Sequence, residues 1–183
     1  MTYYERTLPH WQPEGRDIFL TWRLSGSLPI KVLKALRASK TIQPGKRFRE
    51  FDLQLDKGRF GPLWLKDSRV ASLVAAAIRE VAEKNLCKLH AWVVMPNHVH
   101  VLLEPKQPLG IITKAIKGRS ARQANLVLGR KGKQFWQDES FDHWIRNDME
   151  FVKIKKYIER NPVVAGFTAQ ECDWPWSSAA ALA

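Results

Sequence analysis

The chain has 183 residues, 45% of them hydrophobic, enough for one domain with a real core. Thirty Lys and Arg against 18 Asp and Glu leave a formal charge of +12, which favours a polyanionic partner such as nucleic acid. No segment reaches the roughly 20 apolar residues of a spanning helix, the N-terminus lacks a signal-peptide core, and Cys87 and Cys172 are too few for a disulfide framework or zinc cluster. A membrane partner is therefore not expected, and a reducing cytoplasm is.

Residues 1–16 carry Pro9, Pro13 and Gly15 among polar and aromatic residues and read as an extended arm. In "DIFLTWRL", Ile18, Leu20, Trp22 and Leu24 alternate with Thr21 and Arg23, the period of a strand. "PIKVLKALRAS" and "RFREFDLQLDKG" read as helices separated by the break "IQPGK". Asp67 or Ser68 then caps a longer helix with Val70, Leu73, Val74, Ala77, Ile78 and Val81 on one face. "CKLHAWVVM" and "HVHVLLE" are strands joined tightly through Met95, Pro96 and Asn97, and "LGIITKAIKGRSARQANLVL" is a helix. "QFWQDESFDHWI" holds a short fourth strand with a loop, and "MEFVKIKKYIER" is a last helix stopped by Asn161-Pro162. A tail over 172–183 follows. Strand, helix, strand, strand, helix, strand predicts an α+β ferredoxin-like sandwich over 1–183. It has an antiparallel sheet, helices on one face, and an N-terminal helical insertion (28–60) of underivable role.

Two of the five histidines fall in "VVMPNHVHVLLEP". Residues i and i+2 of a strand point to the same face, so His98 and His100 project together while Val99, Val101 and Leu103 point away. Parallel imidazoles make a half-site for a divalent metal; they also fit a satisfied core histidine beside a chance neighbour. Tyr157, on the last helix, shares a face with Lys153 and Asn161, four residues to either side. Such a tyrosine either attacks phosphorus among its basic neighbours or packs its ring beside Ile154. From Pro105 to Lys133 the chain carries Lys106, Lys114, Lys117, Arg119, Arg122, Arg130, Lys131 and Lys133 and no acid. One sign over that length suits either a phosphate-tracking surface or a basic helix in water.

"MPNHVHVL" followed by "YIERNPVVAG" at this separation resembles the REP-associated tyrosine transposases, IS200-like single-tyrosine HUH enzymes. The likeness extends through "GPLWLKDSRVA", "KGRSARQANLVLGRKGKQFWQDESFDHWIR" and "WPWSSA" to nearly the whole chain. It implies that His98 and His100 are the HUH pair and that Asn161 completes a site for Mg²⁺ or Mn²⁺. It implies that Tyr157 attacks single-stranded DNA beside a REP-like hairpin, leaving a 5′-phosphotyrosine and a free 3′-hydroxyl without any nucleotide cofactor. Lys114, Lys117, Arg119, Arg122 and Lys153 become candidate DNA contacts. Arg6, His10 and Trp11 in the arm, and Trp174 and Trp176 in the tail, become candidates for contacts to unpaired bases. The tail tryptophans fit core packing equally well. The resemblance further implies a cytoplasmic, nucleoid-associated protein, monomeric or homodimeric. Two other functions fit the residues: a catalytically silent hairpin-binding protein, and a phosphodiesterase using activated water with Tyr157 structural.

Overall fold

In the N-terminal arm, strands β1 (Thr2–Glu5) and β2 (Pro9–Gln12) pair antiparallel as a separate two-stranded ribbon. The main sheet uses β3 (Ile18–Arg23), β4 (Cys87–Val94), β5 (His98–Pro105) and β6 (Phe141–Trp144), in the order β4-β5-β3-β6 and antiparallel throughout. This is the ferredoxin-like order expected from the alternation of elements. The computed structural model describes residues 2–5, 9–12, 15–38 and 44–180, with side chains for 15–34 and 48–180.

Helices α1 (Ile30–Ala38) and α2 (Pro44–Asp56) make up the insertion; α3 (Ser68–Glu83), α4 (Leu109–Val127) and α5 (Asp148–Val164) belong to the sandwich. Asp67 caps α3 by accepting from the Arg69 N–H at 3.0 Å, which fixes its start. The α3 face places Val70, Val74, Ala77, Ile78 and Val81 in the core, while Leu73 is only half-buried. That face and Ile112, Ile116 and Ala124 of α4 pack against Ile18, Leu20, Trp22, Val99, Val101 and Leu103 of the sheet. Each such fully buried aliphatic side chain contributes about 1.5–3 kcal/mol.

The opposite face of the sheet has its own, smaller cluster. Phe19, Ala91, Val93, Met95 and Leu102 meet Ile158 of α5, with Phe48 of α2, Phe141 and Tyr157 packed around them. Helices thus cover both faces: α3 and α4 on one, α5 and the insertion on the other.

The sequence predicts helices on one face only, and the second layer of α5 and α2 departs from it; three further expectations change in detail. Helix α2 begins at Pro44, inside the stretch read as a break, because proline suits a first helical position. Asn161-Pro162 does not stop the last helix; Pro162 lies inside α5, at the cost of one missing N–H. The stop is Gly166, at φ +77°, where Phe167 N–H donates to Pro162 O and Gly166 N–H to Val163 O. The tail is integral rather than appended. Val94 N–H donates to Trp176 O at 2.8 Å and Ser178 N–H to Trp92 O at 2.9 Å, so the tail covers the free edge of β4.

The insertion is pinched at its base. Gly61, at φ +67°, passes so close to Gly26 that a Cβ would collide with the Gly26 carbonyl. The chain therefore leaves and re-enters the sandwich at one point, with α1 and α2 looped out between.

Candidate active site

The histidine strand begins directly after a three-residue turn, and that turn sets the imidazole chemistry. Asn97 is buried; its Nδ2 donates to Leu55 O of α2 at 2.9 Å, so its Oδ1 faces His98 Nδ1 at 2.7 Å. A carboxamide oxygen only accepts, so His98 carries its proton on Nδ1 and presents a bare Nε2 to the site. His100 Nδ1 lies 2.7 Å from Thr21 Oγ1, a hydroxyl that serves either tautomer. Thr21 sits there because β3 and β5 pair with Thr21 opposite His100. The two Nε2 atoms are 3.1 Å apart, and both side chains are fully buried.

Tyr157 reaches the same point from α5. Its ring stands 5.6 Å from His100 and 6.2 Å from Phe19, centroid to centroid, and Asn161 follows one turn later. The geometry therefore gathers His98, His100, Tyr157 and Asn161 at one place.

Two carboxylates join them from α2. Asp52 is 2% exposed; its Oδ1 lies 3.2 Å from His100 Nε2 and 3.6 Å from His98 Nε2. Its Oδ2 accepts a hydrogen bond from the Tyr157 hydroxyl and lies 3.5 Å from Asn161 Nδ2. Asp56, one turn on, places Oδ1 3.7 Å from His98 Nε2. Phe48, Asp52 and Leu55 form the inward stripe of α2, at helical spacing. Phe48 stacks on Phe141 at 4.5 Å and meets Phe19 edge-on at 5.3 Å, and Leu55 is buried. An acid in the middle of that apolar stripe was the one sequence signal of Asp52. Its partners lie about 50 and 100 residues away, beyond any local pattern.

Burial sets the electrostatics of the site. Burial drives the His98 imidazole down to about 3, with the nearby Asp52 charge opposing and His100 adding to the fall, so His98 is neutral. Burial raises the Asp52 carboxyl, but His100, His98 and Asn161 outweigh it, and the group ends below its ordinary value. Burial and the Asp52 charge push Asp56 up to about 7. Asp52 Oδ1, Asp56 Oδ1 and Asn161 Oδ1 are buried without a hydrogen-bond partner. Orphan oxygens of this kind cost about 1–3 kcal/mol each unless something else satisfies them. A divalent cation held between the two Nε2 atoms and Asp52 would satisfy Asp52 Oδ1. Neighbouring ligands of an octahedral ion at about 2.1 Å stand roughly 3 Å apart, close to the 3.1, 3.2 and 3.6 Å separations of the two Nε2 atoms and Asp52 Oδ1. Imidazole nitrogens with a carboxylate oxygen are a donor set that could hold a divalent cation.

The basic tract divides. Lys117 donates to Gln137 O at 2.8 Å and Asp138 O at 3.1 Å, tying α4 to the loop before β6; burial lowers its ammonium. Arg119 pairs with Glu80 of α3, Lys106 reaches Asn85 Oδ1 at 2.5 Å, and Arg130 lies 3.9 Å over the Trp64 ring. Half of the tract therefore has partners within the fold. Lys114 and Arg122 on α4, and Lys153 on α5, are exposed. Trp174 donates to Val94 O at 3.0 Å and Trp176 to Ser72 Oγ at 3.2 Å, with their rings against the two cores. Of the two roles open to them, the structure shows packing. Arg6 and the side chains of His10 and Trp11 lie outside the described residues.

Comparison with known proteins gives a consistent picture. A family model described as "Transposase IS200 like" matches residues 63–161. The chain is 31% identical over 105 residues to a REP-associated tyrosine transposase of Escherichia coli, covering 56% of this chain and 60% of that one. It is 30% identical over 96 residues to the ISDra2 transposase TnpA of Deinococcus radiodurans, covering 49% and 69%. The matched stretch thus spans less than two thirds of the first relative's length. A solved structure of a REP-associated tyrosine transposase bound to a REP hairpin superimposes with a TM-score of 0.59 at 23% identity, over 97% of this chain and 82% of that one. At that identity the likeness speaks for the fold. The family match covers more than half of the chain and includes the histidine strand and the tyrosine helix, so this protein belongs to the IS200-like transposase family.

Proposed function

We propose that this protein cleaves and rejoins single-stranded DNA through a covalent Tyr157 intermediate beside a hairpin of the REP type. One observation carries the reading: a phenol and two imidazoles, from elements far apart in sequence, converge on one buried point. His98, His100 and Asn161 would hold a divalent ion through their imidazole Nε2 atoms and the orphan amide oxygen. That ion supplies the positive charge that stabilises a phosphoryl oxygen in the transition state. The Tyr157 oxygen forms a bond to phosphorus while the bond to the 3′-oxygen breaks. The phenolic proton is lost and the 3′-oxygen gains one, so the transfer is proton-neutral overall. A second strand's 3′-hydroxyl reverses the step, because the phosphodiester energy is retained.

Asn97 and Thr21 act behind the imidazoles, holding the angle of each, and Asn97 also fixes the tautomer of His98. Lys114, Arg122 and Lys153 are exposed cations available to the DNA backbone, whereas Lys117 and Arg119 are engaged within the fold. The hairpin assignment draws on the relatives named above and on the basic surface.

A second reading, a hairpin-binding protein without cleavage, is favoured by Asp52 standing against the Tyr157 hydroxyl. The test uses 5′- and 3′-labelled single strands carrying genomic REP-like hairpins, with Mn²⁺ or EDTA, resolved on a denaturing gel. A metal-dependent adduct on the 5′ end of the downstream fragment is expected, absent in Tyr157→Phe and in the His98→Ala/His100→Ala double mutant. Hairpin binding without adduct or cleavage establishes the second reading. Cleavage that survives Tyr157→Phe removes the nucleophile and points to activated water.

A further inference from the structure

The insertion helix α2 lies outside the family match, yet it delivers a buried acid to the centre of the site. Asp52 bridges the two halves of that centre. One oxygen faces the His98 and His100 Nε2 atoms, and the other accepts the Tyr157 hydroxyl. A scissile phosphodiester has to do the same two things. Its phosphorus must lie within about 3–3.5 Å of the attacking phenol oxygen, and a non-bridging oxygen must reach the cation held by the imidazoles. Both groups cannot occupy one place. The imidazoles are fully buried, so the phosphate has no route to them while α2 is docked.

We infer that Asp52 is a fourth protein ligand of the cation in the DNA-free protein, beside His98, His100 and Asn161, and that α2 swings away when a phosphodiester takes its place. This rests on the proposed metal-dependent chemistry but assigns a role that the histidine and tyrosine motifs do not contain. The carboxylate shields the cation site and restrains the nucleophile until the substrate arrives. Several features suit α2 to the task. Among its described side chains, Phe48, Asp52, Leu55 and Asp56 face the sandwich, while Arg49, Glu50 and Leu53 face solvent. Its C-terminal end is followed by Gly58 at φ +54°, a conformation that bends the chain out of the helix. Its last turn is held through the Leu55 carbonyl by Asn97, whose other amide atom orients His98. Docking of α2 and preparation of the imidazole are thus coupled through one side chain.

The inference makes two measurable claims, neither of which needs turnover. Mn²⁺ binding to the DNA-free protein is followed by electron paramagnetic resonance of the free ion for wild type, Asp52→Asn and His98→Ala/His100→Ala. Asp52→Asn should raise the Kd at least tenfold, with thermal melts confirming that the variant is folded. An unchanged Kd in Asp52→Asn beside a lost site in the histidine double mutant overturns the ligand assignment and leaves the metal centre standing. No binding even by wild type removes the metal-dependent function together with it. Hydrogen exchange of α2 is then compared in Tyr157→Phe, which cannot form the adduct, with and without the hairpin oligonucleotide of the cleavage assay and Mn²⁺. Residues 48–56 should lose protection when the oligonucleotide binds. Unchanged or increased protection there, with the oligonucleotide bound, overturns the displacement of α2.

Discussion

Replacing Asp56 by Asn tests the electrostatics of the site by a number rather than a loss. In the folded protein the Asp56 carboxyl is pushed up to about 7 by burial and by the charge on Asp52, against 3.8 for an ordinary aspartate. Between those values the native state keeps a proton that the unfolded chain has released. Stability therefore falls as pH rises through that window, by about 1.4 kcal/mol per pH unit for this one group. Asn cannot ionise, so the variant escapes the penalty. From pH 5 to the folded value near 7, its advantage should grow by about 2–3 kcal/mol, with little screening because the side chain is only 12% exposed.

For a domain of this size that is roughly 5–10 °C in Tm. His98 has the opposite sign. Its folded value of about 3 lies below 6.5, so its contribution is present above 6.5 and is lost as pH falls toward 3. That slope is common to wild type and variant and cancels in the comparison. The assay is thermal unfolding by circular dichroism in EDTA, for both proteins, at pH 5 and pH 8. A Tm difference that is the same at both values refutes the reasoning, because Asp56 would then be ionised in the native state and solvated. Saturating Mn²⁺ at pH 8 should shrink the variant's advantage, since a cation lets both carboxylates carry charge.

Other substitutions separate architecture from DNA contact. Trp174→Ala removes a half-buried ring and its hydrogen bond to Val94 O; it should cost roughly 2–3 kcal/mol by urea unfolding, below the 3–5 of a fully buried aromatic. Gly61→Ala, at a left-handed φ against the Gly26 carbonyl, should lose more than about 1 kcal/mol in the same assay. Lys114→Gln/Arg122→Gln should lower the salt slope of hairpin binding by about 1.4–1.8 without changing Tm. Lys117→Gln should instead lower Tm, since its ammonium ties α4 to the loop before β6; equal slopes for the two variants would dissolve that distinction.

Much of this protein is written locally. Period-two alternation gave β3 its faces, and the same rule aimed His98 and His100 together before any fold was considered. Asp67 announced the start of α3, and the i, i+4 spacing placed Tyr157 and Asn161 on one side of α5. These are properties of neighbouring residues on a regular backbone, and the tertiary structure leaves them in place. Local pattern does not locate the end of α5, because Pro162 lies inside the helix, where one lost N–H is tolerable and Gly166 provides the turn.

The tertiary structure alone decided the rest. Thr21 supports His100 through strand register, and Lys117 spends its charge on backbone carbonyls brought to it by a loop. Trp174 and Trp176 pack because the tail runs along the open edge of β4. Asp52 and Asp56 belong to a helix whose sequence shows only a mildly amphipathic pattern. Their meaning comes from being buried against two imidazoles and a phenol, and burial is what turns an ordinary surface acid into a group that demands a partner.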